Sequence, residues 1–204
     1  MTIRVHQGDL PAPLPSGSVV AIDTETLGLN LNRDRLCVVQ LSLGDGTADV
    51  VRIAARQTSA PNLAKSLADP TILKLFHFAR FDLAVLFRAF GTMPAPVYCT
   101  KIASKLTRTY TDRHGLKDLA RELAGIEMSK QQQSSDWGAD TLSDAQIAYA
   151  ASDVLYLHAI KQKLDVMLAR EGRADLARAA FAFLPSRALL DLAGWADNDI
   201  FAHE

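Results

Sequence analysis

A run of mostly β-branched residues from Val19 to Thr24 constrains the fold more than any other feature of this chain. Such a run is typical of a strand that is buried on both faces of a sheet. Asp23 and Glu25 lie two positions apart at its end, so both carboxylates project from the same face. Two like charges this close raise at least one pKa, and a divalent cation between them would remove the repulsion. Two solvated acids at the end of a strand would explain the pair equally well.

Hydrophobic periodicity divides the chain into a strand-rich first half and a helical second half. The predicted strands are 2–6, 19–24, 36–43, 47–53, 72–76 and 97–99, with helices at 61–68 and 79–90. From residue 100 onward we expect helices at 115–124, 143–170 and 173–183, a polar loop at 126–141 and a final short helix from Pro185. This order predicts an α/β fold, in which a mixed β-sheet is flanked by α-helices and the C-terminal part is helical. Residues 1–204 are expected to form a single domain.

Composition narrows the classes of function. The net charge is −1, from 22 basic and 23 acidic side chains. A protein that grips long nucleic acid through many phosphates is normally more basic, so small or locally held substrates are favoured. Cys37 and Cys99 lie in apolar segments and are predicted to be buried free thiols. The chain has neither a secretory signal nor an apolar run of membrane-spanning length, and we predict a cytoplasmic protein with no membrane partner.

Two further segments place acidic residues in apolar surroundings. Tyr149 and Asp153 are four residues apart, on one face of a predicted helix that is apolar on nearly all sides and therefore buried. A buried tyrosine–aspartate hydrogen bond is the alternative for that pair. Asp82 begins a helix just after a strand, which is a favoured ligand site in α/β sheets. An aspartate in a first helical turn is also a common partner of the helix dipole.

Taken together, the three segments resemble the DEDD-type 3′–5′ exonucleases of the ribonuclease H-like fold, in the subgroup with a tyrosine in the third motif. The matching motifs are Asp23-Thr-Glu25-Thr, the segment from His77 to Asp82, and Tyr149-Ala-Ala-Ser-Asp153. The resemblance covers residues from about 15 to 170 and implies a ribonuclease H-like fold. One position departs from the pattern, because Phe78 stands where the family usually has an asparagine.

Two other segments are similar to the ribonuclease D branch of that family. They are Ser135-Asp136-Trp137 and the stretch from His114 to Leu119. Full ribonuclease D has additional C-terminal helical domains, for which this chain is too short. The resemblance is therefore closest to the compact, stand-alone enzymes known as nanoRNase C.

The resemblance implies hydrolysis of phosphodiester bonds with two divalent cations, Mg²⁺ or Mn²⁺, in each active site. It implies that Asp23 bridges both cations and that Glu25 and Asp153 complete the site on the side of the nucleophile. Asp82 would hold the second cation largely through water. The hydroxyl of Tyr149 would orient the attacking water, since a phenol with a pKa near 10 is too weak a base to do more.

Substrate contacts are expected from residues next to these motifs and from the densest basic stretch. The candidates are Thr24, Thr26, Leu27, His77, Arg108, Arg113, His114, Lys117 and Trp137. Most of these residues could instead have a purely structural role: core packing for Leu27, a structural hydrogen bond for His77, and a solvated loop for the basic stretch. Trp137 would stack on a base or anchor its loop, and anchoring is slightly favoured.

The leading hypothesis is a 3′–5′ exoribonuclease that converts short single-stranded RNA, down to dinucleotides, into 5′-mononucleotides. A ribonuclease D-like processing enzyme for the 3′ ends of tRNA, or a DNA 3′–5′ exonuclease, would use the same chemistry. A nucleic-acid-binding module on the same fold is the alternative that is not an enzyme.

The apolar segment 188–195 would either fold back on the domain or form an interface. The resemblance to nanoRNase C implies a homo-oligomer, with a ring-shaped octamer as one form.

Overall fold

The computed structural model describes residues 2–129 and 131–203, and a mixed six-stranded β-sheet runs through it. The strands are β1 (Thr2–Gln7), β2 (Val19–Thr26), β3 (Leu36–Ser42), β4 (Thr47–Arg52), β5 (Leu73–Phe76) and β6 (Val97–Cys99). Their order across the sheet is β1-β4-β3-β2-β5-β6. Strands β2, β3 and β4 pair antiparallel, whereas β1 joins β4 and β5 joins both β2 and β6 in parallel. The predicted mixed sheet is therefore confirmed.

Helices flank this sheet and make up most of the chain after residue 100. They are α1 (Pro61–Ala68), α2 (Ala79–Phe90), α3 (Thr100–Thr107), α4 (Leu116–Leu119), α5 (Asp144–Leu155), α6 (Leu157–Arg170) and α7 (Ala174–Leu190). Helix α5 contacts β1 to β4, and α2 contacts β2, β3, β5 and β6. Strand β3 is buried along its whole length, as expected for a strand inside the sheet. Cys37 and Cys99 are free and buried, as predicted.

The predicted helix 143–170 begins as expected but does not continue unbroken. Ser143 and Gln146 form the capping box that the sequence indicates. Tyr156, with φ −103° and ψ −6°, separates α5 from α6, so the single long helix was a wrong prediction. The two helices pack on different partners, because α5 lies against β1 to β4 and α6 contacts β5, α3 and α7. The break at Tyr156 therefore separates two helices that pack on different parts of the domain.

The C-terminal helix also differs from its prediction. Instead of ending near residue 183 and restarting at Pro185, α7 runs through Pro185 to Leu190 and continues as a π-helical turn, Asp191–Trp195. Proline removes one backbone hydrogen bond from a helix. Tertiary packing compensates here, since Phe181, Leu184 and Ala188 of the same helix are buried.

An ion-pair cluster folds the C-terminal turn back onto the domain. The buried carboxylate of Asp191 accepts hydrogen bonds from Arg80 of α2, at 2.5 and 2.6 Å. It also pairs with Arg187 of α7 at 2.9 Å. Leu189 and Trp195 nevertheless remain 43% and 46% exposed. Part of the predicted apolar stripe is therefore covered, and part faces solvent.

Across residues 2–129 and 131–203, none of the helices combines the length and the apolar character needed to cross a membrane. The cytoplasmic location stays a prediction.

Candidate active site

Three carboxylates meet where the end of β2 faces helix α5. Asp23 and Glu25 alternate with Thr24 along the strand, so their side chains share one face. Asp153 lies on α5, which packs against β2. One oxygen from each of these acids lies within 4.8 Å of the other two. The fold thus brings together acids that are separated by about 130 positions in the sequence.

The electrostatics of this cluster favour bound positive charge. Burial raises the pKa of Asp23 to about 7 and, together with the nearby Asp23, raises that of Asp153 to about 8. Burial and the surrounding carboxylates raise the pKa of Glu25 to about 10. Three hard oxygen donors that resist ionisation when alone fit a hard divalent cation such as Mg²⁺ or Mn²⁺. The residues present therefore suit the cation that the sequence predicts.

Gln40 supports this cluster and was missed by the sequence reading. It lies opposite Asp23 in the β2–β3 register, and its Nε2 donates to Asp23 Oδ2 at 2.9 Å. Gln40 is completely buried, and its Oε1 has no hydrogen-bond partner in the part of the chain that the structure describes. The available signal was an amide inside the otherwise apolar run of β3, since buried polar groups normally have a specific partner.

Asp82 lies in the first turn of α2 and is only 3% exposed. Its Oδ1 accepts a hydrogen bond of 2.7 Å from the hydroxyl of Thr24. Burial first, and then the nearby Asp23, raise its pKa well above the ordinary value. The Thr24 hydroxyl was expected to contact substrate, but it is buried and engaged with Asp82. Thr24 thus links the first and second motifs, whereas the Thr26 hydroxyl donates to the carbonyl of Gly28 at 2.5 Å.

Tyr149 lies one turn before Asp153 on α5 and lines the same cleft. Burial and the neighbouring carboxylates raise the pKa of its hydroxyl above 10. The phenol therefore stays protonated and can donate a hydrogen bond, but it does not act as a base. Its ring centroid lies 6.0 Å from that of Trp137, which is 4% exposed. This burial supports loop anchoring by Trp137 and is incompatible with base stacking in this structure.

The predicted basic stretch does not act as one surface. Arg108 is fully buried, where its guanidinium pairs with Glu122 and donates to the Arg113 carbonyl at 2.6 Å. The expected phosphate contact of Arg108 is therefore wrong for this conformation, because the side chain points inward. His114 Nδ1 lies 2.8 Å from the hydroxyl of Ser104. Lys117 lines the cleft of the acids, and Arg113 is exposed outside its lining.

Of the other predicted substrate contacts, His77 lies in the cleft wall and Leu27 is exposed to solvent. His77 lines the cleft, and its Nδ1 lies 2.9 Å from the Thr100 hydroxyl, which itself donates to the Phe76 carbonyl at 3.2 Å. This contact with Thr100 holds the imidazole ring of His77 in place at the edge of the cleft. Leu27 is 53% exposed, which excludes the core-packing alternative, and it lies next to Gly138.

The acids lie in a cleft of about 360 Å³. Its wall includes residues that the sequence reading did not name as site residues: Leu29, Lys101, Leu116, Met128, Ser129 and Gln133. Phe78, noted in the sequence only for its departure from the family pattern, is also part of this wall. These residues carry no signature in a single sequence, because folding rather than a motif brings them to the cleft.

Comparison with known proteins identifies the family. A sequence model described as a 3′–5′ exonuclease domain matches residues 9–169. The chain therefore belongs to the 3′–5′ exonuclease family, whose members are metal-dependent nucleases. Ribonuclease D of Gluconacetobacter diazotrophicus is 39% identical over 165 residues, which are 81% of this chain and 42% of that protein. The chain spans about two fifths of the length of such curated relatives.

Among solved structures, the chain is similar over its full length to NrnC of Brucella melitensis. The form of NrnC with bound Mg²⁺ is 63% identical with a TM-score of 0.96, and the form bound to pGG is 64% identical with a TM-score of 0.97. Each comparison covers 100% of both chains. Ribonuclease D of Escherichia coli is 28% identical with a TM-score of 0.75, over 88% of this chain and 48% of that one. The predicted ribonuclease H-like fold and the resemblance to stand-alone ribonuclease D-type enzymes are confirmed.

The raised pKa values predict how stability depends on pH and metal. Without metal, the folded state holds these protons more tightly than the unfolded chain. Stability should then fall as the pH rises from the ordinary aspartate value of 3.8 through about 8. Mg²⁺ at pH 8 should raise the melting temperature by several degrees. Asp23→Asn should raise the metal-free melting temperature and remove most of the response to Mg²⁺.

Differential scanning calorimetry with and without Mg²⁺ measures both effects. Asp144→Asn is a matched control, because Asp144 is an exposed acid at the start of α5. An equal response to Mg²⁺ in the Asp23→Asn variant would argue against a cation at this cluster.

Proposed function

We propose that this protein is a two-metal 3′–5′ exoribonuclease that hydrolyses short RNA, including dinucleotides, to 5′-mononucleotides. The observation that carries this proposal is the gathering of Asp23, Glu25 and Asp153 within 4.8 Å in a small cleft, with Asp82 beside them. NrnC, whose sequence is 64% identical, has been solved with pGG bound. We further propose that residues 1–204 act as a single exonuclease domain.

The four acids are assigned as ligands of two Mg²⁺ or Mn²⁺ ions. When bound, such ions neutralise charge on the phosphodiester and lower the pKa of water. Asp23 is placed centrally in this assignment, because Gln40 fixes its carboxylate and its charge influences both Asp82 and Asp153. Thr24 orients Asp82 through its hydroxyl. Tyr149 holds the attacking water by donating its proton in a hydrogen bond.

Substitutions separate these roles. Asp153→Ala should lower turnover by at least about 10³-fold, since it removes a ligand of the catalytic metal. Tyr149→Phe should retain Mg²⁺ binding and slow turnover by about 10- to 100-fold, because only the orienting hydroxyl is lost. Release of mononucleotide from labelled RNA and calorimetric Mg²⁺ binding provide the two measurements. Asp144→Ala, on the same helix, should behave as wild type. Near-normal turnover of Asp153→Ala would refute the assignment.

A short substrate is favoured by the charge and size of the cleft. Lys101 and Lys117 are the cationic side chains among the described residues of its wall. The affinity of proteins for long nucleic acid grows with the number of phosphates that they neutralise, and two lysine side chains neutralise few phosphates. Arg108, the central residue of the predicted basic stretch, is buried and unavailable. A tRNA-processing activity would need additional contacts beyond this cleft.

Substrate length and sugar are tested together by time courses with Mg²⁺ and with Mn²⁺. The substrates are 5′-labelled RNAs of two to about twenty nucleotides, a dinucleotide of DNA and a tRNA precursor. The expected result is the highest kcat/KM for RNA dinucleotides, with a weak salt dependence because few phosphates are contacted. A ladder of products from long RNA with no preference for dimers would favour a general exonuclease instead. Preferential trimming of the tRNA would favour the ribonuclease D alternative.

We also propose that the protein forms a homo-oligomer, with a ring-shaped octamer as one form. Support comes from the C-terminal part of the chain, where large apolar side chains remain exposed. They are Leu189, Trp195, Ile200 and Phe201, with exposures of 43%, 46%, 47% and 75%. Ile200 and Phe201 line one hollow together with Phe183, which is also exposed, and contiguous exposed apolar surface is typical of interfaces.

Light scattering tests the oligomer directly. Trp195→Ser should lower the molar mass, because a large apolar side chain is lost from the proposed interface. Truncation of the tail is a poorer test, since it would also remove Asp191, which is an internal ion-pair partner. Val166→Ser is the control, because Val166 is 69% exposed on α6. A monomeric wild-type protein would contradict the proposal.

A further inference from the structure

Phe78 has an unusual backbone conformation at the start of helix α2. Its φ of 65° and ψ of 44° lie in the left-handed region. Within residues 2–129 and 131–203 it is the one residue other than glycine with a positive φ. Glycine and asparagine adopt this conformation readily, whereas a bulky aromatic residue does so at a cost. The asparagine usual in the family fits this backbone better, so a phenylalanine requires another reason.

Core packing does not supply that reason. The neighbouring Phe76 and Ala79 are completely buried, but Phe78 is 45% exposed. Phe78 lines the cleft that holds the acids, and it also lines an adjoining hollow of about 280 Å³. It therefore stands between the two depressions, where both are open to a ligand.

A positive charge accompanies this ring. Lys101 Nζ lies 4.3 Å from the ring centroid of Phe78, which is within the range of cation–π attraction. Lys101 lines the same two depressions. The neighbouring His77 does not supply a second charge, because burial and Lys101 lower its pKa to about 3. An aromatic surface beside a single ammonium group is suited to a nucleotide, whose base stacks on rings and whose phosphate attracts cations.

We propose that Phe78 and Lys101 form the binding site for one nucleotide of the RNA substrate, with the base against the ring and a phosphate near the ammonium. Phe78 immediately precedes helix α2, and Asp82, one of the four acids, lies in the first turn of that helix. An RNA whose scissile phosphate lies at the acids therefore has a neighbouring nucleotide within reach of Phe78 and Lys101. The inference rests on the proposed RNA substrate and adds the residues that bind its base.

Phe78→Asn tests this inference without straining the backbone, because asparagine suits the left-handed conformation. The KM for a 5′-phosphorylated guanine dinucleotide should rise by about 5- to 150-fold, the range that base stacking on an aromatic side chain represents. The kcat should stay within about twofold, and the melting temperature should not fall. Phe78→Tyr should keep the wild-type KM, because the aromatic ring is retained. Lys101→Met should raise KM and weaken its salt dependence.

Tyr110→Asn is the matched control, because Tyr110 is an exposed aromatic residue with Arg108 5.8 Å from its ring centroid, outside the lining of the cleft. Its KM should be unchanged. An unchanged KM in Phe78→Asn, or an equal loss in Phe78→Tyr, would overturn the inference. Calorimetric binding of the dinucleotide to Asp153→Ala, with and without Phe78→Asn, gives the same comparison independently of turnover. A wild-type protein that binds the dinucleotide but cannot cleave it would contradict the proposed function alone.

Discussion

The concentration of negative charge at the end of β2 is the constraint on which the remainder of the site depends. Carboxylates that are close together and shielded from water are unfavourable when ionised. The fold does not relieve this by pairing them with basic side chains in the cluster. It fixes them instead with neutral donors, Gln40 on Asp23 and Thr24 on Asp82. Such donors hold geometry without cancelling charge, so the attraction for a cation is preserved.

Architecture explains how such a cluster can be held rigidly. Strand β2 lies inside the sheet: β3 pairs with it from Ala21 to Thr26, alongside the acids, and β5 pairs with it from Val19 to Ala21. Helix α5 packs on one set of strands, and α2 follows directly from the end of β5. The three motifs are therefore attached to elements that have little freedom to shift. Preorganisation of this kind is what nuclease chemistry requires, since small displacements of charged groups reduce catalysis strongly.

Local sequence pattern predicted the strands, the capping box and the clustered acids well, because each leaves a periodic or short-range signal. It failed where distant partners decide the outcome. Arg108 belongs to a basic stretch in sequence, yet pairing with Glu122 turns it inward. Pro185 indicates a helix boundary, yet packing carries α7 through it. The left-handed conformation of Phe78 and its contact with Lys101, a residue of another helix, leave no periodic signal in the sequence.

The ion pair between Arg80 and Asp191 has a consequence for the order in which the protein is made. Arg80 precedes Asp82 by two positions on the same helix, and its carboxylate partner comes more than a hundred residues later. During synthesis on the ribosome, all of the motif acids are present before Asp191 has been added. The first turn of α2 then still lacks its anchor. A nascent chain therefore contains all four motif acids before it contains Asp191, which pairs with Arg80 beside Asp82. We expect the first turn of α2 to reach its final stability only after the C-terminal turn has been synthesised and folded back.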